Sequence, residues 1–268
     1  MTFDITIQII NYNTKKYLEK CLEGVINDLE NFNINYKINI LDNNSNDDLS
    51  DLEKKFMENN KISFYFSKQN LGFGKGHNYL AKKNDAKYIL IVNPDVDFIE
   101  ENTIKRLFER ISADSKIKVI GPKLVTDKGT AQVLDHGELT GFLAWIALNS
   151  GDSYWKNRNG ICEVAWVSGA FFLIEFEIFN RLGGFDENFF LYKEEEDLCL
   201  RIRKSSGKIV YDPNVAVLHY GSVVAKKDDY QQKSVEYFLE KHFRKKVSYK
   251  FFRFLYQIIK KCKNLIAK

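Results

Sequence analysis

Through residues 5–112, short apolar runs alternate with stretches whose apolar residues recur at helical spacing. "ITIQIIN" (5–11) reads as a buried strand. In 15–29, Leu18, Leu22, Val25, Ile26 and Leu29 mark one helical face. A strand at 36–45 runs into a polar turn, and a helix follows at 50–59, where Ser50 and Glu53 have capping-box spacing. Strands are expected at 61–67 and 87–98, with a helix at 76–84 after a glycine-rich turn and another at 101–112. The second half is less regular, with strands at 118–126, 163–176 and 208–220, the last broken at Asp212-Pro213. Helices are expected at 177–186, closed by Gly183 and Gly184, and at 194–207. The chain is helical again from about 230. This alternation predicts an α/β protein with a parallel sheet.

With 268 residues, the chain suits one large α/β domain or a domain with an appendage. Four scattered cysteines contain no C-x-x-C pair, which fits a reducing compartment. The N-terminus has no basic leader, and no apolar run approaches the roughly 18 residues of a spanning helix. A cytoplasmic protein is therefore expected, with peripheral contact at the inner face of the cell membrane as an option. Charge changes this picture. Residues 226–268 hold 13 Lys/Arg against 4 Asp/Glu, which leaves 1–225 at −5 within a total of +4. A basic tail on an acidic body points to a partner for the tail.

In open α/β sheets, ligands bind beyond the carboxyl ends of the strands. The first four strands end in "NYN" (11–13), "DNNS" (42–45), "KQNLGFGKGHN" (68–78) and "NPDVD" (93–97). Each has a plain reading as a turn, but all four fall on one rim, and a nucleotide site needs such convergence. Asp42 can accept from a base imide, and amides around Gly72–Gly76 can approach phosphate because glycine lacks a Cβ. Asp95, at a strand end, can hold Mg²⁺ or Mn²⁺. Farther on, "FFLYKEEEDLCLR" (189–201) sets four carboxylates between apolar walls. Preference of acids for helix N-termini explains one or two of them, but not the Phe-Phe-Leu-Tyr before them.

The ordered set "NYN", "DNNS", "NLGFGKGHN", "NPDV", "WVSGAFFLI", "GGFDENFFLYKEEEDLCLR" and "HYGS" resembles the inverting glycosyltransferases of family 2. The resemblance covers about 4–222 and is greatest to the rhamnosyltransferase-type branch. It implies a GT-A fold, a Rossmann-like mostly parallel sheet flanked by helices, followed here by a basic helical tail. Residues 1–98 would form the nucleotide-sugar half, 99–225 the acceptor and catalytic half, and 226–268 the tail. The donor would be a dTDP- or UDP-linked sugar, and the acceptor a glycan or lipid-linked glycan in cell-surface polysaccharide synthesis.

Residue by residue, the resemblance puts Asn11, Tyr12, Asn13, Asp42 and Asn44 on the nucleotide side. Gly72, Phe73, Gly74 and Asn78 would lie near diphosphate or sugar. Asn93 and Pro94 lead to Asp95, the metal carboxylate, with Asn93 replacing the family's first aspartate. His219 would be a second metal ligand or a diphosphate contact, although a histidine near a strand end also serves as a structural hydrogen-bonder. Trp166, Ser168, Gly169, Ala170 and Tyr192 would face the acceptor. Glu195 would be the general base, where the family usually has aspartate, with Glu194 as the alternative and Asp197 orienting a neighbour or capping the helix. The segment 139–155 reads as an acceptor loop or a lid.

The tail has two readings: an amphipathic helix on an anionic membrane, or a helix packed on its own domain or on a second subunit in a homodimer. Nucleic acid is not an expected partner, since the body is acidic and no binding motif is present. A non-catalytic sugar-nucleotide-binding or scaffold module is the alternative to an enzyme.

Overall fold

A computed structural model of the protein describes residues 2–30, 32–221 and 227–266, with side chains in the last segment described for 230–261. The expected boundary at 225/226 and Ser222 of "HYGS" lie outside the described residues. In chain order the elements are β1 (Phe3–Asn11), α1 (Lys15–Glu30), β2 (Tyr36–Asp42), α2 (Ser50–Phe56), β3 (Ile62–Phe66), α3 (Phe73–Ala81), β4 (Ala86–Val92) and β5 (Val96–Phe98). They continue with α4 (Thr103–Ala113), β6 (Ile117–Val125), β7 (His136–Glu138), α5 (Phe142–Asn149), β8 (Cys162–Val167), β9 (Phe171–Glu175) and α6 (Phe176–Arg181). The last four are α7 (Glu194–Lys204), β10 (Lys208–His219), α8 (Lys227–His242) and α9 (Tyr249–Ile266).

The strands join in the order β3-β2-β1-β4-β9-β6-β10-β8-β7, with β5 paired to β10. Neighbours among β3, β2, β1 and β4 run parallel, so their carboxyl ends share one rim. Register aligns Asn11 with Asp42 and Asp42 with Phe66 across it. The second half mixes directions: β9 runs antiparallel to β4 and β6, while β6 and β10 run parallel.

Strand side chains alternate between faces, and that period builds two cores. Tyr88, Leu90 and Val92 of β4 join Leu18, Leu22 and Val25 of α1 and Ile104 and Leu107 of α4 on one face. Ile89 and Ile91 join Phe172, Ile178 of α6 and Leu198 and Ile202 of α7 on the other. Central strands covered on both sides read as near-continuous apolar runs, which is why "YILIV" shows no polar alternation. Asp28 of α1 stitches the first core together by accepting the Thr103 and Ile104 amides, each at 2.8 Å, at the start of α4.

Several local expectations change in three dimensions. Ser50 and Glu53 form no capping box: Leu49 is the N-cap without a side-chain cap bond, and Asp48 accepts the Ser50 amide at 2.9 Å. The glycine-rich segment is itself the first turn of α3; only Gly72, at φ 77°, lies outside it. "NPDVD" leaves β4 and re-enters as β5, and 163–176 splits into β8 and β9 around Ser168–Ala170. The Asp212-Pro213 break is a register shift within β10.

The tail packs on the body. Tyr256 of α9 is buried with Ile146 and Ala147 of α5. Phe238 and Phe243 surround Phe189. Cutting the chain near residue 240 would therefore uncover core.

Gly74 sets how closely α3 approaches α7. A Cβ there would lie 2.9 Å from Phe185 Cβ and 3.7 Å from Glu194 Cβ. Gly74→Ala gains about 1 kcal/mol of helix propensity and suffers overpacking of roughly 1–3 kcal/mol. A net loss of stability is expected, read as a lower denaturation midpoint at unchanged slope.

Candidate active site

One open cleft of about 1160 Å³ crosses the rim. Of the residues expected on it, Tyr12, Gly72, Phe73, Asn93, Pro94, Asp95, Trp166, Ser168, Gly169, Ala170, Tyr192, Glu194, Glu195 and His219 line it.

The other expected residues face elsewhere. Asn11 is buried; its amide donates to Asp42 at 2.9 Å, and its oxygen accepts from the Thr14 hydroxyl at 2.8 Å. Asp42 accepts Asn11 and the Ser45 hydroxyl on one oxygen and the Ser45 amide on the other. This network closes the β1 and β2 turns. Asn13 and Asn44 are exposed at φ 56° and 61°, the left-handed turn conformation that asparagine tolerates. Asn78 exchanges bonds with the Phe185 backbone, at 2.8 Å to its oxygen and 2.9 Å from its amide, clamping α3 to the loop before α7. Nor is the Gly72 turn an open amide cradle: the amides of Leu71, Gly72 and Phe73 donate to Asn43, Asn70 and the Phe190 carbonyl.

Asp95 and His219 come together because β5 pairs antiparallel with the end of β10, placing Val96 opposite His219. His219 Nδ1 donates to Gln132 Oε1 at 2.8 Å, which turns Nε2 toward Asp95 Oδ1 at 3.5 Å. The other Asp95 oxygen accepts the Gly221 amide at 3.0 Å. Burial pushes the Asp95 carboxyl up, but His219 and the Gly221 amide outweigh it and leave it below the ordinary carboxylate range. In the neutral imidazole, Nε2 and the carboxylate oxygen both present lone pairs, so a proton or a cation belongs between them. One imidazole nitrogen and one carboxylate oxygen suit Mn²⁺ or Mg²⁺ when phosphate oxygens complete the shell. Among the described residues no group of three or more acidic, histidine or cysteine side chains gathers around a point.

The four carboxylates of α7 divide into two pairs. Glu196 accepts Lys193 at 2.8 Å and the Ser153 hydroxyl at 3.0 Å. Asp197 does not cap the helix; Lys193 is the N-cap residue, and its side chain makes no cap bond. Fully buried, Asp197 accepts Arg201 at 2.7 Å and both His242 and Lys241 at 2.6 Å, fastening α7 to α8. Glu194 and Glu195 each keep a buried oxygen, Oε2, without a hydrogen-bond partner among the described residues. Burial and the charge of Glu195 raise Glu194 well above the ordinary range. Burial and the charge of Glu196 raise Glu195 to about 7. Gly169 keeps this corner open: a Cβ there would lie 3.1 Å from Phe73 and 3.9 Å from Glu195 Cβ.

The aromatic wall before α7 has divided duties. Phe189 is core, Phe190 stacks on Tyr230 of α8 at 4.7 Å, and Tyr192 faces the cleft. Tyr192 and Lys193 adopt φ of 72° and 71°, a left-handed pair that turns the chain sharply into α7. Two consecutive non-glycine residues in this region store strain of order 1–3 kcal/mol each.

Sequence reasoning missed several cleft residues. Arg253, Gln257 and Lys260 of α9 line its far side, with Ser150–Ser153 of the segment expected as an acceptor loop or a lid. Amphipathicity left α9 open between a membrane-surface helix and a packed one, and nothing local told which body surface it would meet. Gln132, which orients His219, sits in a loop with no motif of its own.

The family model "Glycosyl transferase family 2" matches residues 6–183. The chain is 27% identical over 228 residues to rhamnosyltransferase WbbL of Escherichia coli, covering 81% of this chain and 83% of that protein. It is 28% identical over 144 residues to the N-acetylglucosaminyl-diphospho-decaprenol L-rhamnosyltransferase of Mycobacterium tuberculosis, covering 50% of this chain and 47% of that one. Among solved structures, GalNAc-T7 with UDP, GalNAc and Mn²⁺ superposes with a TM-score of 0.66 at 16% identity, covering 89% of this chain and 48% of that one. The chain thus spans about half the length of the mycobacterial protein and of GalNAc-T7. The fold is GT-A, and by the match over 6–183 the chain belongs to glycosyltransferase family 2.

Proposed function

We propose that the protein is an inverting, cation-dependent glycosyltransferase. In this reading it moves a sugar, rhamnose by its relatives' names, from a dTDP- or UDP-linked donor to a hydroxyl of a glycan or lipid-linked glycan. The observation that carries the reading is the cleft itself, which holds Asp95 with His219 and the unpaired glutamate pair together. Both relatives above are rhamnosyltransferases by name, and GalNAc-T7 was solved with a nucleotide and Mn²⁺.

Glu195 is the general base. It takes the proton from the acceptor hydroxyl as that oxygen bonds to the anomeric carbon. The bond from that carbon to the nucleotide diphosphate breaks, and the diphosphate leaves with the electron pair. A single displacement inverts the anomeric centre. A carboxylate raised to about 7 is a stronger base than an ordinary one and is still substantially ionised near neutrality. Glu194, held protonated by burial, leaves the negative charge on Glu195. A cation held by Asp95, His219 and the donor phosphates would offset charge on the leaving diphosphate. Tyr192, half-buried on the cleft, presents a flat surface for a sugar ring, while Trp166 is buried with its indole N–H on the Ser153 hydroxyl at 2.9 Å.

The donor test is thermal stability with dTDP, UDP and GDP, each with and without Mn²⁺. One nucleotide is expected to raise Tm only when Mn²⁺ is present, by the equivalent of about 2.7 kcal/mol at a hundredfold excess over Kd. Asp95→Asn should abolish the metal-dependent part. Folded protein that no nucleotide stabilises would contradict the reading.

Glu195→Gln should lower turnover by about 10²–10⁴ while stabilising the fold. The folded pKa of Glu195 lies above its unfolded value, so the unfolded chain gives up its proton first as pH rises. Stability therefore falls between roughly pH 4.5 and 7, and the full cost remains above that window. Glutamine does not ionise, so the variant should exceed wild type by about 1–3 kcal/mol at pH 8 and match it near pH 4. Denaturation at the two pH values checks this.

A further inference from the structure

We infer that α5 and α9 together form a docking face for an anionic lipid bilayer. This goes beyond the proposed transfer reaction and does not depend on the identity of its donor. The helix α9 presents three faces. Tyr256, with Phe252, Leu255 and Ile259, packs against α5. Arg253, Gln257 and Lys260 line the cleft. The third face leaves Phe251, Phe254 and Ile258 at 63%, 66% and 43% exposure, spaced as one helical stripe. From α5, Phe142 and Trp145 add 71% and 52% exposure. Their rings lie 6.3 Å apart, and Trp145 meets Phe252 edge-on at 4.8 Å, so the two helices form one platform.

Charge decides what covers this platform. Residues 241–268 carry ten Lys/Arg and no Asp or Glu, and α5 has no charged residue. Exposed Lys250 and Lys261 lie on the same helix as the aromatic stripe. A two-fold dimer through this face would set basic helix against basic helix, which is repulsive. Anionic headgroups complement it instead. Phe and Trp can enter the headgroup–acyl boundary while lysine stems reach back to phosphate. Each basic residue near such a surface tightens binding about five-fold. Since α9 also lines the cleft, docking would bring the cleft to the bilayer, where a lipid-linked acceptor resides.

The test is co-sedimentation of the full chain with vesicles of phosphatidylcholine alone or mixed with phosphatidylglycerol, alongside the solution mass of the protein. Wild type is expected to bind the mixed vesicles, and to bind less with added salt or with Lys250→Glu and Lys261→Glu. Combined Phe251→Ser, Phe254→Ser and Ile258→Ser should weaken binding by about ten-fold or more. That variant should keep the wild-type Tm and nucleotide-induced shift, since all three side chains face solvent. Folded wild type that ignores both vesicle types would overturn the inference, as would serine variants that bind like wild type. A dimer that the serine substitutions dissociate, without vesicle binding, would assign the face to a second copy.

Discussion

Two neighbouring carboxylates at the first turn of α7 each keep a buried oxygen without a partner among the described residues, and the surrounding structure exists to hold them there. Leaving such groups unpaired is costly, since burial opposes the charged form and each charge opposes the other. The chain reduces that cost where it can. Glu196 is answered by Lys193 and Ser153, and Asp197 by Arg201, Lys241 and His242. Of the four, Glu194 and Glu195 stay uncompensated, and burial raises both, Glu195 to about 7.

Holding this arrangement takes contributions from distant parts of the sequence. Gly74 lets α3 abut α7, Gly169 keeps the β8–β9 turn clear of Glu195, and Asn78 clamps the loop that leads into the helix. The left-handed pair Tyr192–Lys193 aims the helix start at the cleft. The tail is part of the same apparatus, because α8 grips Asp197 and stacks Tyr230 on Phe190. In the proposed reaction, stability and catalysis thus oppose each other at Glu195 and support each other at Asp197.

Much of the site was legible in the sequence, and for a physical reason. Parallel strands that alternate with helices must end on one side, so the polar residues after β1, β2 and β4 were bound to share a rim. Glutamates set against Phe-Phe-Leu-Tyr could not be a solvated charge run. Asp95 and His219 were each identifiable, but their meeting depends on β5 reversing to pair with β10, which strand patterns do not reveal. For Asn78 and Asp42, a free polar side chain and a hydrogen-bonded one look alike in sequence; only the fold supplies Phe185 and Ser45 as partners. Apolar residues on both sides of Ser168-Gly169 make 163–176 read as one strand and hide the turn at Ser168–Ala170, since both strands are buried. Residues of α9 on the cleft were beyond reach, because helix periodicity fixes a buried face but not its neighbour.

The central claim is that Glu195, raised by burial and by its neighbour's charge, is the group whose ionisation turns the enzyme on. The pH dependence of sugar transfer at limiting donor and acceptor measures it directly. Transfer should rise through a single ionisation near pH 7 and level off above it. Glu195→Gln should remove both the rise and nearly all of the rate. A wild-type rate that is already flat from pH 5 upward, or a Glu195→Gln variant that keeps the wild-type profile, would contradict the account.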